Sequence, residues 1–207
     1  MSTFRARAKD QFPTVMLTLL GIIQALALEL IWAHLTEAPS LYTFTFTAVM
    51  MWLQIAATLI GIFLIWLIYA SNVMRFRFVP TTADSAFPFL IGIVEFTLIS
   101  FLGMETVSQW LLTMALIFVV MSWVSQSILR RARLDGDNDE YFSQVQPASW
   151  RDFYLSIGAV AWLTLAAAYV GLTGDRGWPA MILIASVSVL LSYQTYLTNM
   201  FWNRSLN

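Results

Sequence analysis

Two acidic side chains stand inside otherwise apolar stretches of this chain: Glu29, about a turn outward of the middle of the first stretch, and Glu95, close to the middle of the third. An ionised acid at the centre of a bilayer costs about 2.5–3.5 kcal/mol on the insertion scale, so a chain seldom keeps two of them without partners or a task. Gln24 and Gln54 fall at similar depth in the first and second stretches, and the four hydrogen-bonding groups are expected to converge in the outer half of a helical bundle. No Lys, Arg or His occupies the middle of any apolar stretch, and a carboxyl taken out of water without a cation favours its neutral form. Glu95 is therefore expected to carry a proton at neutral pH, or to face water or a bound cation. Two outcomes follow. In one, Glu95 takes up and releases a cation or a proton along a pathway, with Glu29, Gln24 and Gln54 as supporting polar groups. In the other, both acids are structural, each interhelical hydrogen bond contributing about 0.6 kcal/mol on average.

The elements that must position these groups are membrane spans. The 207 residues are 59% hydrophobic and 11% charged, against about 25% charged in a soluble domain, and the mean hydropathy is +0.71. A helix needs roughly 20 mostly apolar residues to cross about 30 Å of hydrocarbon. Six windows qualify, at approximately 13–35, 44–70, 87–102, 109–129, 153–172 and 178–202, the third short enough to extend toward Ala83. Short connections at 36–43, 103–108 and 173–177 alternate with longer ones at 71–86 and 130–152. The fold class expected is an all-α membrane protein of six transmembrane helices arranged as three helical hairpins, forming a single membrane domain.

Lys and Arg accumulate in cytoplasmic loops. Arg5, Arg7, Lys9, Arg75, Arg77, Arg130, Arg131, Arg133, Arg151 and Arg204 lie on the side of the termini and Arg176 alone lies opposite, so both termini are expected in the cytoplasm. Trp32, Trp110 and Trp178 fall at the outer ends and Trp150 and Trp202 at the inner ends, where amphipathic rings prefer the headgroup layer. The first stretch is too long for the core of a cleavable signal peptide. Pro13, Pro88 and Pro179 are placed near helix starts, where a missing N–H costs nothing, and Ser149 with Asp152 resembles a capping box for the fifth helix. The localisation these features imply is a bacterial inner membrane.

Composition also excludes functions. Eleven basic residues against twelve acidic ones give a net charge of −1, which offers no surface for nucleic acid. There is no cysteine and one histidine, His34, so disulfides, thiolate metal sites and multi-histidine centres are out, and no cofactor is expected. Asp135, Asp137 and Asp139 alternate as in a calcium loop, yet Glu140 stands where that loop needs glycine and Gln146 where it needs its bidentate glutamate; the segment reads as a solvated acidic loop. No phosphate-cradling loop, metalloprotease motif or nucleophile elbow is present, so little supports an enzyme, although interfacial acids such as Asp84 or Asp152 leave lipid modification open. Arg130, Arg131 and Arg133 suit anionic lipid headgroups and suit topology setting equally.

The odd-numbered spans share Gly21, Gly92 and Gly158 in similar apolar contexts, and the even-numbered ones end in an aromatic followed by arginine, a weak hint of a repeated hairpin. Gly21 with Ala25, Ala57 with Gly61, and Ser188 with Ser192 permit close helix approach. Tyr193 to Asn199, matched by Ser122, Ser125, Gln126 and Ser127, make polar inner halves of two helices that suit either a water-filled vestibule or interhelical hydrogen bonds. The stretch from Trp66 through Arg75-Phe-Arg77 to Asp84 and Pro88-Phe89 resembles the second-to-third-helix region of small prokaryotic six-helix potassium channels related to lysosomal potassium channels. That resemblance covers less than a fifth of the chain, and the family's first-helix Phe-Ser-Asp signature is absent where this chain reads Pro13-Thr-Val-Met-Leu, so no pore residue carries over. The expectation is a small channel or transporter for a cation or a proton-linked substrate, built as a homo-oligomer among membrane lipids. The alternative is a non-transporting module that binds lipid or serves as an accessory subunit.

Overall fold

A computed structural model describes residues 3–144 and 153–204. Among them are seven α-helices: α1 (Thr3–Glu37), α2 (Phe46–Arg75), α3 (Thr82–Ser100), α4 (Val107–Arg133), the short α5 (Asp139–Gln144), α6 (Tyr154–Thr173) and α7 (Trp178–Arg204). All but α5 are long and apolar enough to cross a membrane, so the chain is an all-α integral membrane protein. At the end of the bundle that carries most of the charge the helices outrun the apolar windows, α1 by ten residues and α2 and α3 by five each. Pro13 and Pro88 therefore lie inside α1 and α3 rather than at their starts, while Pro179 is the second residue of α7. The suggested cap at Ser149 and Asp152, and Trp150 and Arg151 with it, lie outside the described residues.

Local chemistry sets several ends. The Thr45 hydroxyl accepts from the Ala48 N–H at 3.2 Å at the start of α2. The Asp84 carboxylate reaches back to the Thr81 N–H at 2.6 Å and its hydroxyl at 2.8 Å, satisfying donors that a helix start leaves orphaned. The α6 helix stops at Gly174, whose φ of 64° places it in the left-handed region that glycine enters without penalty.

Four helices close a ring in which α1 packs on α3, α3 on α4, α4 on α2 and α2 on α1; α6 lies along α4, α7 lies along α2, and these last two scarcely touch each other. The α6–α4 seam is tight for a stated reason. Ala166 and Ala167 are buried in it, the Ser108 hydroxyl donates to the Ala167 carbonyl at 2.8 Å, and a Cβ at Gly171 would sit 2.9 Å from that hydroxyl.

The acidic segment after α4 departs from expectation. Lys9, whose side chain is 1% exposed, donates to Asp135 at 2.6 Å and Asp137 at 2.9 Å. Asn138 is buried and donates to the carbonyls of Arg77 at 2.6 Å and Ala132 at 2.9 Å, while accepting from the Arg77 N–H at 3.0 Å. The segment is a clasp rather than a solvated loop, because α1 begins before Pro13 and carries Lys9 over it. Asp10 pairs with Arg77, and Arg131 pairs with Asp84 beneath the Phe78 and Phe87 rings. At the opposite end Arg176 pairs with Glu105, and Phe46 meets Trp178 edge-on at 5.2 Å. Trp32 and Trp178 are exposed, but Trp110 is fully buried, its indole N–H donating to Thr58 at 3.1 Å. Its neighbourhood on α4 faces the ring of helices, so it fills the core instead of the headgroup layer.

Candidate functional site

The first and third helices meet near their middles at a glycine. A Cβ at Gly92 would lie 2.8 Å from Cγ2 of Ile23, so only glycine lets α1 and α3 approach this closely. One residue on from Ile23 is Gln24, and one turn on from Gly92 is Glu95. The side-chain amide of Gln24 donates from Nε2 to Oε1 of Glu95 at 2.8 Å. Glu95 has no exposed surface and Gln24 is 8% exposed. The other atom of each group, Glu95 Oε2 and Gln24 Oε1, is buried with no hydrogen-bond partner.

A small gap between α2, α3 and α4, lined by Ile65, Ile91, Val94, Ile117, Val120 and Met121, has no room for a water molecule. A larger open groove runs between α2 and α7 along Phe63, Ser192 and Thr195, and the hydroxyls of Thr195 and Thr198 bond back to their own helix at Leu191 and Gln194. Asn72 donates to Ser125 at 3.1 Å, so part of the polar inner half is interhelical hydrogen bonding between α2 and α4.

Of the four polar residues expected to converge, the structure brings together Gln24 and Glu95. Gln54 is fully buried, but its Oε1 accepts from the Gly103 N–H at 3.3 Å, which ties α2 to the turn before α4. That turn depends on glycine, since Gly103 has φ 142° and ψ 162°. Glu29 is exposed on the outward side of α1, where Thr14, Thr18, Gly21 and Ala25 are exposed too. The rotation of α1 that turns Gln24 inward sends Glu29, five residues and about 140° further round, outward.

Gly92 is the contributor that inspection of polar residues passed over; the signal available was its position three residues before the buried acid. The three glycines of the suggested repeat are not equivalent, since a Cβ at Gly21 or Gly158 would meet nothing within 4 Å. Among the described residues no group of three His, Asp or Glu side chains could hold a metal ion. What the arrangement offers chemically is one buried carboxyl and one buried carboxamide joined by a hydrogen bond. No family model matches this chain, and no curated protein or solved structure does.

Proposed function

We propose that this protein is a small membrane channel or transporter for a cation or a proton-linked substrate, with Glu95 as the binding or protonation group and Gln24 as its direct partner. A single observation carries the reading: a carboxyl at the middle of a span is fully buried, held by one amide, and has an oxygen left without a partner. An ionisable residue within a span is a functional-site hypothesis by default, and ion and proton pathways are among the functions such residues serve. In this reading the bundle sits in a bacterial inner membrane as three helix pairs joined by short outer turns, the last pair splayed onto α4 and α2, with the clasped end around Lys9 and Arg131 facing the cytoplasm, and several copies assemble around an axis. Gln54 supports the site from α2 by fixing the outer turn.

The test is flux into liposomes containing the purified chain, with proton-, sodium- and potassium-sensitive dyes. Glu95→Gln, which preserves shape, is expected to abolish the flux that the parent protein shows. A folded Glu95→Gln protein with undiminished flux removes Glu95 from the mechanism, and a parent protein that passes none of the three ions removes transport.

The exposed Glu29 favours a second reading, an accessory subunit of a membrane complex. A carboxylate on an outward face within a span is costly in lipid, and the small side chains of Gly21 and Ala25 beside it admit a close-packed helix. Here α1 docks on a partner helix that supplies a donor to Glu29. Glu29→Leu would then release the chain from the complex extracted in mild detergent while leaving its own fold intact; a complex unchanged by that substitution sinks this reading.

A further inference from the structure

We propose that Glu95 and Gln24 form a proton-binding site of the carboxylic acid–carboxamide type, in which a proton on Oε2 of Glu95 is donated to Oε1 of Gln24. This rests on the reading of Glu95 as the ion- or proton-binding group and names its ligand as a proton, not a metal cation.

The argument is one of donors and acceptors. An ionised glutamate only accepts, and a carboxamide has one accepting oxygen and one donating nitrogen. With the Gln24 Nε2 donating to Glu95 Oε1 at 2.8 Å, the two atoms left over are both oxygens, both buried and both unpartnered. Two buried acceptors on hydrogen-bonded partners, with no hydrogen to share, leave two polar groups unsatisfied, which native interiors avoid. One added hydrogen satisfies both and closes an eight-membered ring of two hydrogen bonds. Rotating the amide by half a turn leads to the same place: the 2.8 Å contact becomes oxygen to oxygen, which again requires a hydrogen between them. Uptake is balanced simply, as the carboxylate plus one proton becomes the neutral acid and the buried charge goes from −1 to zero.

A metal cation does not fit this arrangement. A calcium ion takes six to eight oxygen ligands, whereas the pair presents two free oxygens, both buried. The carboxylates nearest in the fold are turned away or already paired. On α1, Glu29 faces outward; on α2, the Gln54 oxygen is taken by Gly103 while its Nε2 is buried without a partner; and on α3, Asp84 is held by Arg131.

The experiment is infrared spectroscopy of the full chain in lipid nanodiscs at pH 7. The expected result is a protonated-carboxyl C=O band that shifts on transfer to deuterium oxide, shifts when glutamate is labelled with carbon-13, disappears in Glu95→Gln, moves to the position of a free acid in Gln24→Leu, and ignores added sodium, potassium or calcium. Carbon-13 labelling of the parent protein ties the band to glutamate whether or not the variants fold. Absence of any protonated glutamate band, or its loss when one of those cations is added, overturns the inference. The outcome is separable from transport: a band without flux leaves the proton site standing and removes the transport reading, while Glu95-dependent flux without a band keeps transport and removes the proton site.

Discussion

Replacing Gly92 by alanine tests whether the close approach of α1 and α3 is what creates the buried pair. The new Cβ would stand 2.8 Å from Ile23 Cγ2, with Cδ1 and Cγ1 at 3.6 and 3.7 Å. Carbon atoms pack at about 3.5–4.0 Å, so about 0.7–1.2 Å of separation is missing. Ile23 is β-branched, stiff at χ1 and 6% exposed, so it cannot swing away and the helices must part. A 2.8 Å hydrogen bond lengthened by as much reaches or passes the limit at which it still counts. Overpacking costs about 1–3 kcal/mol, the lost bond about 0.6 kcal/mol, and the better helix propensity of alanine returns up to about 1 kcal/mol. The net is a destabilisation of about 0.6–3.6 kcal/mol. The same change at Gly21 or Gly158, where the Cβ meets nothing, is expected to be neutral or to stabilise by up to about 1 kcal/mol. Equilibrium unfolding in mixed detergent micelles, with all three variants side by side, measures the difference. If Gly92→Ala proves as stable as Gly21→Ala, the contact between Gly92 and Ile23 does not set the spacing of these helices.

The clasp around Lys9 gives a pH prediction. Burial works against the Lys9 charge, but the bonds to Asp135 and Asp137 outweigh it and hold its pKa above the usual 10.5; the bond from Lys9 holds Asp137 below its usual 3.8, against partial desolvation. A raised lysine contributes stability that is complete below 10.5 and lost as pH climbs through the folded value, and a lowered aspartate contributes stability present above 3.8 and lost as pH falls through its own. The clasp should therefore stay shut across the range between, which amine acylation reads directly because Lys9 is the chain's one lysine. Slow labelling at neutral pH, accelerated several-fold in an Asp135→Asn, Asp137→Asn double variant, is expected; equal rates would mean that the clasp does not hold Lys9. Asp84→Asn should destabilise by about 3 kcal/mol, the low end for breaking a buried pair, since Asp84 is 1% and Arg131 21% exposed. A loss below about 1 kcal/mol in the same unfolding assay would show that the pair is not the tie it resembles.

Hydropathy made the six spans legible, because each apolar stretch is long enough to cross lipid and each break carries turn residues or charge. Their ends were less legible. Lys9 read as one topology-setting cation among ten, since nothing local says that α1 runs through Pro13 and delivers it to aspartates more than a hundred residues on. Trp110 read as a belt residue for a similar reason: height along a helix follows from residue number, whereas the direction a side chain faces does not. That difference also divides the candidate site. Depth alone placed Gln24, Glu29, Gln54 and Glu95 at comparable levels, and composition alone established that no basic residue shares the middle of a span with them.

Which of the four would meet was decided by tertiary structure. In water, one apolar stripe tells a helix which way to face; in lipid, the outward side of a span is as apolar as the inward side, so α1 carries Leu20 and Ala27 toward the bundle and Leu26 and Leu28 away from it with no difference in kind. The rotation of α1 was fixed instead by the notch at Gly92, which admits Ile23 and with it Gln24, and that same rotation left Glu29 outside.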